Sequence, residues 1–99
     1  MVREASGRNS EIAKRLRILR EAEGEDSSSA WAERTGLTGQ QYSNYENGHP
    51  LPRDPAIVLA REIPGLTTDW LFMGREEGLS FDLRRRLRAA ATLLAGPRR

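Results

Sequence analysis

Apolar positions along this chain recur with the period of α-helices, and glycines and prolines punctuate them. Ile12, Leu16 and Leu19, spaced four and three apart, form one helical stripe that Gly24 ends, and Ser10 is its expected N-cap. Trp31, Ala32 and Thr35 belong to a short second helix that starts with Asp26 or Ser27 as cap and stops at Gly36. A third runs from Thr38 to about Asn47, with Tyr42 and Tyr45 sharing its inner face. Asp54-Pro55 reads as a fourth start, because aspartate caps and proline fits the first helical position. Ile57, Ala60 and Ile63 are its expected inner face, and Pro64-Gly65 stops it. A fifth opens at Thr67, carries Trp70, Leu71 and Met73, and ends at Gly74. Leu79, Leu83 and Leu87, continued by Ala90 and Leu94, mark a sixth from Ser80 to about Leu94, with Arg84, Arg85, Arg86 and Arg88 opposite. The expected fold class is all-α. Residues 1–9 lack periodicity and read as a flexible arm, with Arg3 and Arg8 as candidate phosphate contacts.

Residues 27–48 hold the densest local signals. Gly36 suits the left-handed residue that closes a helix, and Leu37 then sits in the turn as an apolar plug. Thr38 followed three residues later by Gln41 is a capping box, in which hydroxyl and amide each satisfy a backbone N–H. Ala32 is small, as a close crossing of the two helices demands. Two helices joined by a tight glycine turn are the grammar of a helix-turn-helix.

These residues resemble the Xre/Cro-type, lambda-repressor-like helix-turn-helix family of bacterial and phage regulators. Ala32, Gly36, Tyr42 and Tyr45 fall at that family's spacing, and Glu46-Asn47-Gly48 followed by Pro52 is similar to its E-x-G-x-x-x-P ending of the recognition helix. Leu16-Arg17-Ile18-Leu19-Arg20 resembles its L-x-x-L-R, and Thr67-Thr68-Asp69-Trp70-Leu71 its T-x-D-W-L. The resemblance covers residues 10–74 and implies a five-helix DNA-binding domain, with residues 75–99 as an additional C-terminal amphipathic helix and basic tail. It also implies that Arg20 and Glu46 form a structural salt bridge between the first and third helices. Three positions depart from the pattern. Asp26 stands where the family has an apolar residue, Gly39 replaces one base-reading side chain, and Ser28 stands where the family often has glutamine.

Length and charge narrow the picture. Ninety-nine residues make one domain, without the run of about 20 apolar residues that a membrane helix needs. The N-terminus has no apolar secretory core, and the chain has no cysteine, which together point to a reducing cytoplasm and exclude disulfides and thiolate metal sites. The net charge of +2 is uneven: residues 10–74 hold seven Lys/Arg against ten Asp/Glu, whereas residues 75–99 hold seven Arg against three acids. The basic surface expected for nucleic acid therefore sits away from the motif. With one histidine, no G-x-S-x-G, no glycine-rich phosphate loop and no paired acids, the inventory points away from an enzyme, and no cofactor is expected.

The expected function is reading of double-stranded operator DNA in the major groove by the third helix, as a transcriptional regulator, with repression the expected mode. Glutamine and asparagine donate and accept at once, which suits the edge of adenine. Gln40, Gln41, Ser43 and Asn44 are the candidate base readers, and the resemblance favours Gln40 and Asn44. Ser27, Ser28 and Thr38, at helix N-termini, and Arg17, His49 and Arg53 are candidate phosphate contacts. Trp70 and Leu71 with the stripe Leu79, Leu83 and Leu87 are the expected homodimer interface. The alternative is a helix-turn-helix scaffold that binds a protein partner instead, or an antitoxin-type repressor that binds a toxin as well as DNA. The acidic core, Gly39, Ser28 and the lack of Lys or Arg on the third helix favour the scaffold, and no residue points to a toxin in particular.

Overall fold

The computed structural model describes residues 3–24 and 28–96. Every regular element among them is a helix: α1 (Arg3–Ala22), α2 (Ser28–Thr35), α3 (Gly39–Glu46), α4 (Arg53–Glu62), α5 (Thr68–Met73) and α6 (Phe81–Ala95). None of these is long and apolar enough to cross a membrane. The expected caps of α2, Asp26 and Ser27, lie outside the described residues, as do Met1 and Val2.

Two helix starts differ from the sequence expectation. Ser10 does not cap α1, because the helix is already running from Arg3, so the arm expected over residues 1–9 is helical over most of its length. Once a helix is nucleated, each added residue gains a hydrogen bond, so weak formers such as Gly7 and Asn9 extend one that Ile12, Leu16 and Leu19 anchor. In α4 the N-cap is Pro52, not Asp54, and Pro55 is the third helical residue. Proline is tolerated there because the first-turn N–H groups have no intrahelical partner. The inner face is Ala56, Leu59 and Ile63 instead of Ile57, Ala60 and Ile63, and Ile57 is 39% exposed. The starts of α3, α5 and α6 carry side-chain caps, Thr38, Thr67 and Ser80.

One apolar cluster joins all six helices. Leu16 and Leu19 of α1, Trp31 of α2, Tyr42 of α3, Leu59 of α4, Leu71 of α5 and Leu83 of α6 are its most buried members. The helix α1 is the hub, packing against α3, α5 and α6. The residues expected at a homodimer interface belong to this core: Trp70 and Leu71 are 5% and 0% exposed, and Leu79, Leu83 and Leu87 are 5%, 0% and 3%. Leu83 and Leu87 of α6, with Leu79 just before it, are buried within one chain, where α6 packs along α1. The large apolar side chains left outside are Ile57, Met73, Phe81, Leu93 and Leu94.

Arginines bind these helices together. Arg15 is half-buried and donates from Nη1 to the Leu71 carbonyl at 2.9 Å, which satisfies a backbone acceptor in the last turns of α5. Burial lowers the pKa of its guanidinium. Glu23, just past α1, accepts from Arg34 of α2 at 2.5 Å and from Arg86 of α6 at 2.6 Å, with its side chain only 6% exposed. Burial alone would raise the pKa of this carboxyl, but the hydrogen bonds from Arg86 and Arg34 outweigh it and hold the value below the usual 4.5.

The seat of α6 is a close contact. Gly65 has φ +87°, and its carbonyl accepts from the Ser80 N–H at 3.2 Å. An added Cβ would collide with the Ser80 hydroxyl and stand 2.7 Å from Ser80 Cβ. Ser80 meanwhile caps α6 by accepting from the Leu83 N–H at 3.1 Å.

Two stability predictions arise here. Gly65→Ala loses about 2–4 kcal/mol in urea unfolding, since overpacking adds to the strain of a positive φ, whereas Gly24→Ala, at φ +78° with nothing within 4 Å, loses only about 1 kcal/mol. Equal losses would show that Ser80 is not in contact. A depressed carboxyl pKa contributes stability above the unfolded value and loses it as pH falls through the folded one. Glu23→Gln is therefore less stable than the unmodified chain by about 1.5–3 kcal/mol at neutral pH. The gap closes as pH drops below the usual 4.5, measured as urea midpoints across pH.

Candidate nucleic-acid interface

The helix α3 is built from its ends inward. Its N-terminus is closed by a complete capping box: Thr38 Oγ1 accepts from the Gln41 N–H at 3.0 Å, and Gln41 Oε1 accepts from the Thr38 N–H at 2.9 Å. The turn before it holds Gly36 at φ +85° and the buried Leu37. Buried Thr35 donates to the Trp31 carbonyl at 2.9 Å and accepts from the Leu37 N–H at 3.4 Å, so its hydroxyl is satisfied. The helices α2 and α3, joined by these three residues, pack directly on each other.

Tyr42 and Tyr45 fasten the inner face of α3. Tyr42 stands edge-on to Trp31 with ring centroids 5.5 Å apart, and its hydroxyl donates to the Leu16 carbonyl at 2.6 Å. Burial pushes the Tyr42 phenol well above its ordinary pKa, and the nearby Glu46 carboxylate adds to the shift. The buried Trp31 Nε1–H acts against that rise at the Tyr42 oxygen without completing a hydrogen bond among the described residues. Arg34 covers the Trp31 ring, 5.6 Å from its centroid, and so turns towards the protein interior and Glu23.

The C-terminal end of α3 is fixed by charge. Arg20 grips Glu46 with two hydrogen bonds, Nε to Oε2 at 2.8 Å and Nη2 to Oε1 at 2.9 Å. The side chains are 21% and 12% exposed. The hydrogen bond to Glu46 is the largest cause of a raised Arg20 pKa. Arg17 adds a bond from Nη2 to the Glu46 carbonyl at 2.8 Å, at the negative end of the helix dipole. The single carboxylate of α3 is thus neutralised by α1 and withdrawn from the outer face.

That outer face carries the candidate readers. Gln40 and Gln41 are exposed, and Ser43 and Asn44 are half-buried. Gln40 Nε2 donates to Asn44 Oδ1 at 2.9 Å. This leaves the Gln40 carbonyl as an outward acceptor and the Asn44 amide N–H groups as outward donors, one helical turn apart. Gln41 differs from them, because its carbonyl is spent on the cap and only its amide N–H groups remain. Gly39 is the first residue of the helix and brings backbone to the surface there.

The candidate phosphate contacts are placed unevenly. Ser27 lies outside the described residues, and Ser28 is the first residue of α2. Thr38 keeps its hydroxyl proton, since in the cap it only accepts. His49 is exposed, its backbone N–H bonded to the Asn44 carbonyl at 3.0 Å. Arg17 and His49 therefore flank the C-terminal end of α3, whereas exposed Arg53 opens α4. The basic C-terminal stretch is committed elsewhere: Arg86 to Glu23 and Asp82, Arg85 to Asp82 and Arg88 to Glu76. No group of three or more His, Cys, Asp or Glu side chains among the described residues is arranged to hold a metal ion. No protein-family model, curated protein or solved structure matches this chain.

Removing Glu46 tests the anchoring of α3. Glu46→Ala leaves Arg20 without its carboxylate acceptor, while the backbone carbonyl that Arg17 bonds remains, and is expected to lose about 2–3 kcal/mol, between the ranges for exposed and buried pairs. Glu46→Gln, which keeps one acceptor, loses less. Urea unfolding of both variants checks the order, and an unchanged midpoint for Glu46→Ala would remove the pair from the list of stabilising contacts.

Proposed function

We propose that this chain is a lambda-repressor-like helix-turn-helix regulator that reads double-stranded operator DNA with the outer face of α3. The observation that carries the reading is the Gln40–Asn44 amide pair on a helix whose only charged side chain is held back by Arg20. An uncharged face with an acceptor and donors one turn apart complements base edges in the major groove, which admits one helix. A flexible helix would spread these groups over many positions. Here the capping box, Tyr42, Tyr45 and the Arg20–Glu46 bridge all restrain it. The residue resemblance over residues 10–74 supports the same assignment.

In this reading Gln40 and Asn44 contact bases. Gln41 and Thr38 serve the cap first and meet the backbone of the DNA second. Arg17, His49 and Arg53 supply positive charge for phosphates. Few cations flank the face, so affinity is modest and its dependence on salt shallow. Two copies on a palindromic site would place two α3 helices in successive major grooves. Their contact would have to form outside the core residues Trp70, Leu71, Leu79, Leu83 and Leu87.

A second reading, the protein-interaction scaffold, draws on the internal pairing of Arg34, Arg85, Arg86 and Arg88, which removes much of the apparent basic charge from reach of phosphates. The two readings part in one experiment. Selection from a random duplex library at low salt is expected to yield a palindromic winner, and Gln40→Ala plus Asn44→Ala to weaken it about 100-fold, at about 1–3 kcal/mol per contact. Weak binding that is indifferent to sequence and to these two changes would favour the scaffold.

A further inference from the structure

The first turns of α6 border a shallow groove of about 300 Å³, lined by Phe81, Arg84, Arg85 and Arg88. Arg84 also borders an adjoining depression with Gly74, Arg75, Glu76 and Glu77. None of these residues lies on α2 or α3.

Three features of the groove call for a partner. Phe81 is 77% exposed, more than any other large apolar side chain described, and takes no part in the core. Arg84 Nε is buried yet has no acceptor, an arrangement that is costly for a charged donor. Arg85 and Arg88 have carboxylate partners within hydrogen-bond distance, whereas Arg84 and Arg75 have none among the described residues, and Arg84 acts on Glu76 only through its charge.

We propose that this groove docks a short acidic segment of a partner protein, with an apolar side chain of that segment on Phe81 and a carboxylate on Arg84. Arginine stems supply an apolar wall beside the aromatic ring, and the guanidinium fork matches a carboxylate. An exposed aromatic next to arginine is also the composition of binding hot spots. A nucleic-acid strand fits less well, because Glu76, Glu77 and Asp82 interrupt the arginines and break the continuous positive track that a phosphate backbone follows. A flexible acidic segment can set one carboxylate on Arg84 while Arg85 and Arg88 stay on Asp82 and Glu76.

The test is fluorescence anisotropy of the full chain with a labelled alternating Glu-Leu peptide about twelve residues long. Comparison probes of equal length are an alternating Lys-Leu peptide, an alternating Glu-Ser peptide and oligothymidylate. Saturable binding of the Glu-Leu peptide is expected, weakened about tenfold by Phe81→Ser and about tenfold by Arg84→Gln, with the Lys-Leu and Glu-Ser peptides much weaker. Phe81 is outside the core, so its replacement keeps the chain folded even if Arg84→Gln does not. Absence of binding, binding untouched by Phe81→Ser, or equal binding of the Lys-Leu peptide would overturn the proposal. Tighter binding of oligothymidylate that is lost in the same variants would overturn it in favour of a nucleic-acid site. Gln40→Ala plus Asn44→Ala is expected to leave the peptide affinity unchanged, and Phe81→Ser to leave duplex selection unchanged, so this groove and the α3 reading stand or fall separately.

Discussion

Glu46 is held to α1 by three arginine hydrogen bonds, two from Arg20 to its carboxylate and one from Arg17 to its carbonyl. With the Tyr42 hydroxyl on the Leu16 carbonyl, they set the position of α3 on the hub helix. An eight-residue helix is too short to be stable by itself. Its geometry is therefore borrowed from α1, and every group that it presents outward depends on that attachment. The attachment also decides which chemistry α3 offers: with its carboxylate occupied, only amides and hydroxyls remain outside.

A second consequence of folding is the redistribution of charge. Along the chain the arginines of residues 75–99 look like a basic tail. In space α6 lies against α1, and three of them, Arg85, Arg86 and Arg88, pair with Glu23, Glu76 and Asp82. Glu23 shows why this matters: one carboxylate with a nearly buried side chain joins the end of α1 to α2 and α6. Burial of that charge is tolerable only because two guanidinium groups accompany it. What is left over lies at Arg17, Arg53 and Arg61 on α1 and α4, at Arg84 beside Phe81, and at Arg75 in the adjoining depression.

Much of the architecture was legible in the residues. Helical period placed six helices, and Thr38 with Gln41, Thr67 and Ser80 marked three starts, because capping is a local interaction among residues three apart. Pro52 offers no side-chain acceptor, so no capping signal marks it as the start of α4. The early start of α1 was missed because Gly7 and Asn9 are poor helix formers taken one at a time. The outward positions of Gln40 and Gln41 on α3 were also legible, as the complement of Tyr42 and Tyr45 on a 3.6-residue period. Their side-chain bonds were not: the same amide can cap, pair with a neighbour or stay free, and only rotamers decide.

The sequence by itself determined the local structure, namely where helices form, which faces are apolar and which turns need glycine, since these rest on interactions within a few residues. Tertiary structure alone decided which partners meet across long separations. It put the leucines of α6 into the core instead of on a dimer face, drew Arg15 onto the Leu71 carbonyl, and left Arg84 Nε buried without an acceptor beside an exposed phenylalanine. The reason is that a charged or apolar side chain has many chemically suitable partners in a 99-residue chain, and packing selects one among them.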